Sequence, residues 1–112
     1  MSLRQEKINT LLKKLASEFF ARVSTGVSLI TVTDAKVARN LHRATIFITI
    51  FPDKMEADGL AFANRKRSEL RDYICENTDL RTLPFLDIHI DEGERNRQHI
   101  DTLMNSDQTK QD

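Results

Sequence analysis

The sequence is sparing with the residues that build most recognisable active sites. Its 112 residues include one cysteine, three glycines, two prolines, one tyrosine and no tryptophan. The single cysteine, Cys75, excludes a disulfide within the chain and any CxxC metal or redox motif. It follows Ile74 in a helical run with no histidine near it in sequence, which predicts a small core or half-buried residue rather than a nucleophile. The glycines, at positions 26, 59 and 93, are too scattered for a phosphate-cradling loop, where several glycines let backbone amides approach an anion. Walker A and dinucleotide fingerprints are therefore absent. No apolar run approaches the ~20 residues of a membrane span, and the opening MSLRQEKINT has no signal-peptide core. A cytoplasmic protein without a membrane partner is expected.

The histidines, His42, His89 and His99, have no HxxxH or HExxH spacing. Alternation along Asp87-Ile88-His89-Ile90-Asp91 places two carboxylates and an imidazole on one strand face, a set that could ligate a divalent ion. A match this short arises readily by chance, and a solvent-facing strand rim is the plainer expectation. A hydrolase built on these three residues would need metal-dependent turnover. The sequence as a whole predicts no enzyme, no metal and no cofactor.

Net charge is also missing, since 17 basic and 17 acidic side chains cancel. The cancellation is uneven. Residues 1–51 hold 8 basic and 3 acidic side chains, whereas residues 52–112 hold 9 and 14. Residues 87–112 alone hold 3 basic and 7 acidic. Such asymmetry is a hint that one part of a chain meets a polyanion, although a solvated helix and an acidic tail would give the same totals.

What is present reads as one α+β domain. Across residues 3–23, Ile8, Leu11, Leu12, Leu15, Ala16, Phe19 and Val23 recur at steps of three and four, predicting a helix with Ser2 as N-cap and Gly26 as its left-handed stop. At ~100° per residue, Arg4, Lys7, Lys14 and Arg22 fall within ~80° of one another, on a flank of the apolar face. Residues 27–37 and 41–51 read as β-strands joined by a short polar break, hence an antiparallel hairpin. The Ala44, Ile46, Ile48 and Ile50 face of the second strand is expected against the first helix. A helical region over 55–77 loses its apolar period at Arg65-Lys66-Arg67-Ser68, which predicts a break at a basic, exposed corner. A third strand is expected at 85–91. Gly93 then turns into a short helix on which Ile100, Leu103 and Met104 could dock. Residues 1–104 form the domain, and 105–112 read as a frayed polar tail.

Function is then carried by charge geometry. Arg65, Lys66, Arg67 and Arg71 cluster at the proposed break with one acidic residue, Glu69, among them. With Arg4, Lys7, Lys14 and Arg22 they make one basic surface if both elements share a side of the sheet. The six phenylalanines and Tyr73 sit mostly at core-like positions, so backbone contacts to nucleic acid are expected over base stacking.

Several strings, in order, resemble the bacterial ribosome-binding factor A family. They are Arg4-x-x-Lys7-Ile8, Thr31-Val32-Thr33, Asn40-Leu41-x-x-Ala44-x-Ile46-x-Ile48, Leu70-Arg71, and Leu80-Arg81-x-x-Pro84-x-Leu86-x-x-x-x-Asp91. The resemblance runs from about residue 3 to 104, in a short form without an extended C-terminal tail. It implies a type II KH-like fold in which a helix–kink–helix replaces the GxxG loop. It also implies a non-enzymatic factor that binds the small ribosomal subunit and assists late maturation of its rRNA, with ribosomal proteins or assembly GTPases as further partners. A monomer suffices for this. The family kink carries Ala-x-Gly, and the matching residues here are Lys66, Arg67 and Ser68. Either Ser68 accepts the kink or the helix runs straighter. The rival reading is a protein-interaction module on a degenerate KH scaffold, meeting a basic ribosomal protein without touching RNA.

Overall fold

In the computed structural model, residues 3–23, 28–80 and 83–98 are described. Helix α1 spans Leu3–Val23 and buries Ile8, Leu12, Leu15, Ala16, Phe19 and Phe20, the stripe its 3.6-residue period supplies. Strand β1 is Leu29–Val37 and β2 is Arg43–Phe51, paired antiparallel. A short 3₁₀ turn at Asp53–Met55 leads into α2, Glu56–Arg65, and α3 follows at Arg67–Glu76. Strand β3, Phe85–Ile90, returns parallel to β2, giving a mixed sheet in the order β1-β2-β3. Residues 92–98 are helical, as the turn at Gly93 suggests. The expected Ser2 and Gly26 caps, the docking of Ile100, Leu103 and Met104, and the tail at 105–112 lie outside the described residues.

One sheet face makes the core. Ile30, Val32, Ala35 and Val37 of β1, Ala44, Ile46, Ile48 and Ile50 of β2, and Leu86 and Ile88 of β3 are all buried with the α1 stripe, Ala63, Leu70 and Ile74. Leu12, wholly buried, is a site where truncation to alanine costs about 2–5 kcal/mol. A register shift between Val32 and Asp34 makes Thr33 the extra residue of a β-bulge, which lets Val32 and Ala35 both face inward.

The packing partner of the Ala/Ile face differs from expectation. Helix α1 lies mainly across β1, and α2 rests on β2 and β3. Two side chains hold α1 to the sheet edge: Gln5 Nε2 donates to the Val37 carbonyl at 3.4 Å, and Asn9 Oδ1 accepts from Val37 N–H at 2.7 Å. Close approach of α2 depends on Gly59, where a Cβ would sit 2.8 Å from both Cδ1 and Cγ2 of Ile50.

The hairpin link is longer than the polar break suggested. Ala38 N–H donates to the Arg43 carbonyl, Leu41 N–H to the Ala38 carbonyl, and His42 N–H to Asn40 Oδ1. Leu41 takes a left-handed φ of 63°, a conformation costing a β-carbon-bearing residue about 1–2 kcal/mol. Its half-buried side chain packs on the core in return.

The helix break falls where the apolar period fails. Lys66 caps both helices with φ −89° and ψ 1°, and its N–H is shared between the carbonyls of Phe62 and Ala63 at 3.1 and 3.2 Å. A negative φ needs no glycine, so the two helices meet at Lys66 without one, and Ser68 lies within α3. Cys75 departs from expectation: it is exposed, because it projects about 100° away from Ile74 around α3.

Candidate nucleic-acid interface

The parallel register brings the starts of β2 and β3 together, with Arg43 opposite Phe85 and the Phe85 N–H donating to the His42 carbonyl at 2.9 Å. The first turn of α3 lies over this end of the sheet. Its Arg71 donates from Nη1 to the Pro84 carbonyl at 3.2 Å, which ties the helix to the strand entrance. Phe85 is 46% exposed, and the guanidinium carbons of Arg43 and Arg67 each stand 5.0 Å from its ring centroid. Such cation–π contacts contribute about 0.5–1 kcal/mol at exposed sites, enough to orient both arginines without neutralising them.

Around this ring lies a cleft of about 250 Å³ lined by Asn64, Arg65, Arg67, Ser68, Arg71, Phe85 and Leu86. A neighbouring depression shares Phe85 and Arg71 and reaches His42. His42 in turn lines a larger cleft, with Arg4, Asn40, Leu41 and Asp79 on its walls. Adjacent depressions share lining residues from the kink to the start of α1, with Arg65, Arg67 and Arg71 at one end and Arg4 at the other.

Of the eight basic residues singled out from sequence, these four come together. None of them has a carboxylate within ion-pair distance among the described residues. Lys7 and Lys14 are exposed on α1 and likewise unpaired among the described residues. Lys66 is engaged within the fold: its Nζ is 3.2 Å from Glu69 and 5.8 Å from the Phe62 ring. Arg22 stands apart, about 27 Å along the helix axis from Arg4. Its guanidinium lies 5.2 Å from the Tyr73 ring, whose hydroxyl donates to Glu18 at 3.0 Å. That bond to a carboxylate raises the Tyr73 pKa above its ordinary value, with desolvation adding to the rise.

Three neighbours were not singled out from sequence: Arg43, Phe85 and His42. The signal for two of them was present. In RATIFITIF and FLDIHI the buried residues alternate, so Arg43 and Phe85 fall on the outward parity. The expectation that the phenylalanines and Tyr73 sit mostly at core-like positions holds for Phe19, Phe20, Phe62 and Tyr73, and the outward strand positions are the exceptions. Phe19 and Phe20 are buried, whereas Phe51 is 70% exposed.

The Asp87/His89/Asp91 set is occupied by other work. Asp87 forms a 2.9 Å ion pair with Arg43. Asp91 accepts from Thr33 Oγ1 at 2.6 Å and from Glu94 N–H at 3.0 Å, and these bonds hold its carboxyl below the ordinary aspartate value. Among the described residues no cluster of three His, Cys, Asp or Glu could hold a metal ion. None of the described helices is long and apolar enough to cross a membrane.

An α-β-β-α-kink-α-β chain on a mixed three-stranded sheet, with a cationic kink beside an open strand entrance, defines a KH-like domain of the helix–kink–helix kind. The Ribosome-binding factor A profile matches residues 4–104, so the chain belongs to that family. A Finegoldia magna ribosome-binding factor A is 36% identical over 81 residues, covering 69% of this chain and 64% of that one. The chain spans about half the length of two further curated relatives, 47% and 45%. The crystal structure of ribosome-binding factor A from Thermus thermophilus superposes with a TM-score of 0.69 at 17% identity, covering 77% of this chain and 94% of that one. A homology model of the Thermus thermophilus factor, fitted into a cryo-EM map of its 30S complex, gives 0.64 at 18% identity, covering 72% and 88%.

Proposed function

We propose that this protein is a non-enzymatic assembly factor that binds the small ribosomal subunit through its rRNA and assists late rRNA processing and subunit maturation in the cytoplasm. Family membership supplies the partner, since a Thermus relative was fitted to a map of a 30S complex. The observation that carries the reading is the convergence of Arg65, Arg67 and Arg71 on the cleft at Phe85. Guanidinium groups with no internal carboxylate are free to pair with phosphate, and their planar forks suit bidentate contact. Arg4 extends the track to α1, and Lys7 and Lys14 continue it along the same helix. Lys66 is ion-paired to Glu69, and Arg22 lies about 27 Å along α1 from Arg4, so neither lines the cleft in this reading. Residues 1–104 act as one RNA-binding unit in this reading.

Filter binding to protein-free small-subunit rRNA tests it. Salt-sensitive retention is expected, and reversal of Lys7, Lys14, Arg65 and Arg67 to Glu is expected to abolish co-sedimentation with immature subunits while the domain stays folded. No retention at low salt would reject direct RNA contact and favour docking on a ribosomal protein.

A further inference from the structure

The sheet face turned away from the core is left unexplained by the arginine track. Strand alternation puts Lys36, Arg43, Thr45, Phe47, Phe85 and His89 on it, and each is exposed or half-buried. Phe51 shares the same parity, so three of the six phenylalanines face away from the core that would ordinarily take them. Two of the three stand beside a cation. Lys36 Nζ is 5.9 Å from the Phe47 centroid, and the Arg43 guanidinium is 5.0 Å from that of Phe85. Phe47 and His89 are direct cross-strand partners, as are Arg43 and Phe85, and the two pairs are about 13 Å apart along the strands.

We infer that this face is a stacking platform for single-stranded RNA, continuing the strand that the arginine track holds at Phe85. The inference rests on the RNA-binding reading above and extends it to a second surface. The face carries three carboxylates against two cations: Asp34 stands opposite Phe47, Asp87 answers Arg43, and Asp91 lies near Lys36 while bound to Thr33. It therefore offers little long-range attraction for phosphate. What it offers is aromatic surface, and every base has a π-face to lay on it, whatever the sequence. Arg43 and Phe85 belong to both surfaces, so a strand leaving the cleft at Arg67 reaches the platform without crossing a carboxylate that lacks an internal partner. The division of labour is clear: arginines at the kink attract the backbone, and Phe47 with His89 receives bases.

The absence of tryptophan makes the test clean. Phe47→Trp places a single indole on the face. A short oligouridine is expected to quench its fluorescence, whereas inorganic polyphosphate, which has charge but no bases, is expected to leave it unchanged. Phe47→Ala is expected to weaken oligouridine binding about tenfold with the salt dependence unaltered, while Phe47→Trp binds as the parent does. Circular dichroism melts establish that each variant is folded. Absence of quenching, or wild-type affinity in Phe47→Ala, would overturn the platform if the parent binds oligouridine, and the arginine track would stand. A parent chain that binds neither oligouridine nor rRNA at low salt would remove both.

Discussion

Neutralising one arginine of the track should change the salt dependence of RNA binding by a calculable step. Arg4, Arg65, Arg67 and Arg71 are four guanidinium groups lining adjacent depressions, with no ion-pair partner among the described residues. If each meets one phosphate of a single strand, these four contribute about −2.8 to the slope of log affinity against log salt, so raising salt fourfold weakens binding about 50-fold through them alone. Arg67→Gln removes one contact, making the slope shallower by about 0.7 and cutting their share of that loss to about 20-fold. Arg22→Gln is the control, because Arg22 lies at the far end of α1, about 27 Å from Arg4, and should leave the slope unchanged. Nitrocellulose filter binding to rRNA fragments across a salt series reads both numbers. An Arg67→Gln slope equal to the parent's, or an Arg22→Gln slope reduced by a full step, would refute this assignment of phosphate contacts.

Gly59→Ala gains about 1 kcal/mol of helix propensity but forces a Cβ to within 2.8 Å of Ile50, where overpacking costs about 1–3 kcal/mol. A lower urea midpoint is expected, with the penalty shrinking or reversing in an Ile50→Ala background. Ser68→Gly, which introduces the glycine that the sequence resemblance implies at the kink, should destabilise by about 0.5 kcal/mol in chemical denaturation, because the turn is made by Lys66 at negative φ and Ser68 lies within α3. Stabilisation would mean that the kink is strained. Thr33→Val removes the first donor to Asp91, so the carboxyl pKa should rise toward the ordinary value in an NMR titration. Because the folded state depresses this pKa, the stability it contributes is present above the unfolded-state pKa and is lost as pH falls through the folded value. Thr33→Val should therefore flatten that acid-side loss.

Much of the fold was legible because it rests on local period. The α1 stripe, the two alternating strands and the interruption at Arg65-Lys66-Arg67-Ser68 each map onto an observed element. The break was readable because four successive polar residues leave a helix nothing to bury there. The candidate site was half legible. Charge clustering found Arg65, Arg67 and Arg71, but clustering within a sequence cannot tell which cations already have internal partners. Arg22 meets Tyr73 of another helix, a contact across 51 positions that no local pattern announces. Glu69, three residues from Lys66, was a readable partner. Arg43 and Phe85 were missed although strand parity places both outward, because phenylalanine was weighed by hydrophobicity and not by register. The same oversight hid the sheet face with Phe47. Gly59 had no signal at all, since only the approach of α2 to Ile50 gives its missing side chain a meaning.

Crosslinking the full chain to precursor small subunits, with both nucleotides and residues identified, tests the central claim most directly. Arg65, Arg67, Arg71 and Phe85 should carry the principal crosslinks, all to rRNA. Crosslinks to ribosomal proteins alone, or rRNA crosslinks confined to the acidic segment at 91–94, would contradict it.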